Sequence, residues 1–96
     1  MSPINKKKLN LLRIKLDKLD NELLKLIKKR SNLVNEVLKV KIHKKEIIDQ
    51  KRIDFILKKI KKKSILLNVD PKITSRIWKN MIWSFIDYEK RNFKKK

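Results

Sequence analysis

An all-α fold with a very long first helix is predicted by two compositional facts and one pattern. The 96 residues contain no glycine and only two prolines, Pro3 and Pro71, which removes most of the positive-φ positions that hairpins use. From Leu9 the apolar residues then run Leu9, Leu12, Leu16, Leu19, Leu23 and Leu26, and resume at Leu33, Val37 and Val40. The steps alternate between three and four, a heptad seam with Arg30 standing where leucine is called for.

The elements follow in order. The seam predicts a first helix over about residues 6–42, roughly 55 Å long at the α-helical rise. A compact protomer of this size does not cover a stripe of that length, so a second copy is expected against it. Residues 43–48 break the period and mix charges, which reads as a loop. Asp49 is an N-cap residue type, and it opens a second helix over about 49–67 with Ile53, Ile56, Leu57, Ile60 and Ser64 on one face. The other face holds Lys58, Lys59, Lys61, Lys62 and Lys63. A turn at Asn68-Val69-Asp70-Pro71 ends it, with Asp70 suited to the cap and Pro71 to the first helical position.

The third helix, over about 71–92, carries Ile73, Ile77, Met81, Phe85 and Tyr88 on one side, and Trp78, Ile82, Phe85 and Glu89 at similar spacing. Residues 94–96 read as a frayed tail. The chain is expected to form a single domain, residues 1–96, of three helices.

The formal net charge is +19, a value that in isolation suggests nucleic acid or an anionic membrane. Here lysine dominates and is spread along the chain among Ile, Leu and Asn, so a solvated lysine surface is the expectation and no nucleic-acid partner is expected. Cysteine is absent and His43 is the only histidine, which excludes a thiolate metal site and a histidine cluster. The first residues form no apolar signal core and no run is long enough to span a membrane; a cytoplasmic location is expected.

Burying Arg30 in an apolar seam is costly without an anionic partner or a route to water. It is a register-setting or snorkelling residue, or it marks a buried anion site. Lys41 lies eleven residues on, about 20° round a continuous helix and roughly 16 Å along it, close enough for the two cations to hold opposite ends of a small anion. Arg13 lies seventeen residues before Arg30, roughly 25 Å away on the same rod, so it reaches such an anion only from a second, antiparallel chain. Asp49 and Arg52 share a face as an i, i+3 pair. Glu89 extends the face of Trp78, Ile82 and Phe85, where a carboxyl is expected to keep its proton and serve as a hydrogen-bond donor.

These residues resemble a family, the all-helical (AroQ-type) chorismate mutases. The stretch from Leu12 and Arg13 through Asp17, Leu19, Asp20, Leu23, Leu24 and Leu26 to Arg30 is similar to that family's L-R-x-x-I-D-x-L-D-x-x-L-L-x-L-L-x-x-R. Lys41 follows at the family's lysine spacing, then Ile48-Asp49-Gln50-Lys51-Arg52, then Val69-Asp70-Pro71.

The resemblance implies an intertwined homodimer of three-helix protomers that needs no cofactor. It converts the dianion chorismate to prephenate in aromatic amino-acid biosynthesis. By the same resemblance Arg30 and a second chain's Arg13 bind the carboxylates, Lys41 donates to the ether oxygen, and Asp49 and Arg52 line the pocket. Three positions depart from the pattern. Ile53 replaces a glutamate that bonds the substrate hydroxyl, Glu89 replaces a glutamine donor, and Phe85 replaces a small hydroxyl residue, with Ser84 about 100° away on the helix. An isochorismate pyruvate lyase of the same fold is the nearest alternative. A basic helical nucleic-acid-binding protein is the alternative of another class.

Overall fold

The computed structural model describes residues 2–94, which form three α-helices and no strand. Helix α1 spans Pro3–Val40, α2 Gln50–Leu66 and α3 Pro71–Asn92. The expected architecture is therefore present, with local differences at several points. Residues 95 and 96, part of the expected tail, lie outside the described residues.

Helix α1 begins three residues before the heptad reading put it. Ser2 Oγ accepts the backbone N–H of Asn5 at 3.2 Å, and Pro3 takes the first helical position, where its missing N–H costs nothing. The helix ends at Val40, so Lys41 lies just beyond it and not inside it as expected; its backbone N–H donates to the Leu38 carbonyl at 3.3 Å. The stretch expected to be a loop contains a short 3₁₀ helix, Lys44–Ile47. Glu46 secures it by accepting the N–H of His43 at 2.9 Å.

Both interhelical caps form where the residue types called for them. Asp49 Oδ1 accepts the N–H of Arg52 at 3.0 Å, and Asp70 Oδ1 accepts that of Lys72 at 2.9 Å. Helix α2 ends in a Schellman arrangement: Val69 N–H reaches the Ser64 carbonyl at 2.9 Å and Asn68 N–H that of Ile65 at 3.2 Å. The left-handed position this requires falls on Asn68, φ 57°. In a chain without glycine, asparagine is the residue that tolerates it at least cost.

Two compact units make up the chain, one up to Leu33 and one from Val34. In the first, α1 stands as a rod with Leu12, Leu16, Leu19, Leu23 and Leu26 each 55% to 58% exposed. In the second, α2 and the 3₁₀ helix pack on α3. Its core is Ile47, Ile53, Ile82 and Ile86, with Ile56, Leu57 and Phe93 against them. Ile47 was not expected there, because its 3₁₀ turn has no period to read.

Buried Ser64 donates to the Ile60 carbonyl at 2.6 Å and meets Thr74 Oγ1 at 2.7 Å, which ties α2 to α3 without an unpaired hydroxyl. Helix α3 carries two apolar stripes, and its buried residues, Ile82, Ile86 and Glu89, lie on one of them. Ile73 and Ile77, on the other, are more than half exposed. Among the described residues no helix is long and apolar enough to cross a membrane.

Candidate active site

Two of the predicted site residues meet directly in the second unit. Lys41 extends its side chain from just beyond α1, and its Nζ donates to Glu89 Oε1 on α3 at 3.0 Å. Both side chains are largely withdrawn from solvent, 16% exposed for Lys41 and 7% for Glu89. The apolar face of α3 explains why Glu89 is buried, since it follows Ile82 and Ile86 on the same stripe. A carboxyl in that setting needs a partner, and Lys41 supplies it.

Removing one member of such a pair strands the other charge, which typically costs about 3 to 5 kcal/mol when burial is complete. The sequence reading took the surroundings of Glu89 as apolar. The structure adds an ammonium, and in this ligand-free arrangement the carboxyl is an acceptor.

Tyr88, the residue before Glu89, makes a second bond to the same end of α1. Its hydroxyl donates to Asn35 Oδ1 at 2.7 Å, and Asn92 Nδ2 donates to its carbonyl at 2.8 Å. Sequence reasoning assigned no role to Asn35 and gave Tyr88 only a place on a helix face. A lone asparagine and a lone tyrosine 53 positions apart carry no local signal that they pair.

The other predicted residues are distributed over the two units. Asp49 is exposed, and its carboxylate is engaged as the cap of α2. The expected face-sharing pair with Arg52 thus takes the form of a bond to the Arg52 backbone, while the Arg52 guanidinium lies 5.5 Å from the centroid of the Phe55 ring, within cation–π range. Ile53 is in the core between Ile47, Ile82 and Ile86. Phe85 is partly buried, one turn before Glu89 on α3. In the first unit Arg30 is partly buried and Arg13 is exposed.

A cleft of about 360 Å³ near Tyr88 is lined by Asn35, Leu38, Lys39, Tyr88, Asn92, Phe93 and Lys94. None of the residues predicted for the site is among them. The geometry of the Lys41–Glu89 pair outweighs that cleft as a guide to chemistry, because it places a cation and an acid within bonding distance in a shielded setting.

The chain is small and all-helical, and it carries a largely buried lysine–glutamate pair. The chorismate mutase type II family model matches residues 12–90, and the chain belongs to that family. Its class of activity is accordingly that of an isomerase. No curated protein and no solved structure matches the chain.

Proposed function

We propose that this protein rearranges chorismate to prephenate in aromatic amino-acid biosynthesis, as a cytoplasmic homodimer whose sites are shared between the two chains. The observation that carries this reading is the Lys41–Glu89 pair at 3.0 Å in a chain of the chorismate mutase type II family. The reaction is an intramolecular Claisen rearrangement. The ether C–O bond breaks as a C–C bond forms within the same molecule, so nothing enters or leaves, and negative charge develops on the ether oxygen and the enolpyruvyl fragment. Fixed donors in a dry site stabilise that charge more than they stabilise the ground state. Holding the substrate in its chair-like conformer removes much of the remaining barrier.

In this reading Arg30 and Arg13 of the second copy bind the two carboxylates. Lys41 and a protonated Glu89 donate to the ether oxygen, and Asp49, Arg52 and Phe85 line the rest of the site, while Ile53 stays in the core. Lys41 and Glu89 must first release each other. A substrate carboxylate replaces Glu89 as the partner of Lys41, and Glu89 takes up a proton from water to become a donor. The dimer is supported by the α1 leucines, more than half exposed over five successive seam positions. Fully burying a leucine is worth about 1.5 to 3 kcal/mol, so a second antiparallel helix gains several such increments.

One observation favours a second reading, an isochorismate pyruvate lyase. Ile53 is buried and apolar, so it offers no oxygen to the hydroxyl that chorismate presents. Turnover of chorismate and of isochorismate, measured side by side with no metal or cofactor added, decides between them. Prephenate from chorismate is expected. Cleavage of isochorismate to salicylate and pyruvate, with chorismate untouched, would reverse the assignment.

A further inference from the structure

The end of α1 is bonded to α3 twice, by Lys41 to Glu89 at 3.0 Å and by Tyr88 to Asn35 at 2.7 Å. On the function proposed above, the first bond has to open each time substrate binds, because both of its groups turn to the ether oxygen. The second bond uses neither group. The closely packed backbone pairs of this unit are α2 with α3 and the 3₁₀ helix with α3, so side chains carry much of the attachment of the α1 end.

We infer that the Asn35–Tyr88 hydrogen bond is the tether that keeps Lys41 and Glu89 in register while their own bond is open, which makes Asn35 and Tyr88 positioning residues for the rearrangement. The inference rests on the proposed function. Tyr88 directly precedes Glu89, and Asn35 lies six residues before Lys41, so a shift at the tether moves both donors. The tether is also shielded and braced. Asn35 and Tyr88 are partly buried, Leu38 is buried one turn beyond Asn35, and the Asn92 amide holds the Tyr88 carbonyl at 2.8 Å. Catalytic geometry tolerates little slack, and misplacement of a donor by about 1 Å costs as much as a hundredfold in rate.

Tyr88→Phe keeps the ring and deletes only the hydroxyl, and Asn35→Ala removes the acceptor from the other side. Steady-state kinetics of both variants, of the double variant and of the parent protein on chorismate test the tether, with circular dichroism and melting temperature recorded for each. A loss of kcat of roughly tenfold is expected in each single variant, with KM little changed and the helical signal retained. The double variant is expected to be no slower than either single one, since both remove the same bond.

A purely structural bond would lower the melting temperature and leave kcat per folded molecule unchanged. That result, or losses that multiply in the double variant, overturns the tether while the function stands. A parent protein that leaves chorismate unchanged overturns the function itself, and the tether with it.

Discussion

Arg13→Ala and Arg30→Ala, each impaired as a pure protein, are expected to restore one another when combined. The two arginines are seventeen residues apart on the continuous helix Pro3–Val40, which separates their Cα atoms by about 25 Å. A dianion with one carboxylate on a six-membered ring and one on its enolpyruvyl side chain does not bridge that distance, so one chain cannot supply both cations to one substrate. On the proposed dimer, an antiparallel partner along the exposed leucine seam would bring its own Arg13 to Arg30.

A hydrogen bond to a charged group contributes about 1.5 to 3 kcal/mol, and each 1.4 kcal/mol is about tenfold, so either single variant is expected to lose about ten- to hundredfold in kcat/KM. Co-expression with separate affinity tags, in equal amounts, gives heterodimers as about half of all dimers if assembly is random. Each heterodimer then holds one site with both arginines and one with neither. The mixture should therefore recover about a quarter of the wild-type rate of prephenate formation under two-fold symmetry. A mixture no more active than its parents would refute the shared site, since arginines acting within one chain leave every site in the mixture damaged.

Glu89→Gln is expected to keep chorismate turnover, since an amide donates to an ether oxygen, and Glu89→Ala is expected to lose it; equal turnover by the two variants removes the donor role. Leu19→Asp places a charge in the exposed seam and should give monomers by sedimentation equilibrium with loss of activity; an intact, active dimer would contradict the seam as the interface. Ile53→Glu puts an unpaired carboxyl among Ile47, Ile82 and Ile86 and should cost about 3 kcal/mol or more in urea denaturation. An unchanged midpoint with tighter substrate binding would mean that the side chain faces the pocket. Asn68→Ala, at φ 57°, should destabilise by about 1 to 2 kcal/mol, and an unaltered melting curve would count against strain at that turn.

What could be read from the sequence was what local chemistry determines. The α1 seam, the caps at Asp49 and Asp70 and the Pro71 start all depend on residues within a turn or two of each other. The apolar face of α2 was legible for the same reason, and Ile53 and Ser64 are buried on it. The errors fall where local signals run out. Ile47 was hidden because a single turn of 3₁₀ helix shows no period. Helix α3 offered two apolar stripes of similar strength, and a sequence does not say which one a neighbour covers. Ile86 therefore entered the core unannounced while Ile73 and Ile77 remained exposed.

The site divides along the same line. Arg30 and Lys41 stood out as charges at or near an apolar seam, and Glu89 as an acid on an apolar face, so the candidate groups were legible one at a time. Their pairing was not. Lys41 meets Glu89 across 48 positions and Asn35 meets Tyr88 across 53, and such distances are fixed by how the end of α1 lies on α3. That placement changes what Glu89 can do. Beside Lys41 the side chain is an acceptor, where an apolar pocket alone would have left it without a partner. On the proposed function the substrate would draw Lys41 away and free Glu89 to donate, and Glu89→Gln separates this arrangement from a fixed donor, because glutamine donates whether or not the lysine has been drawn off.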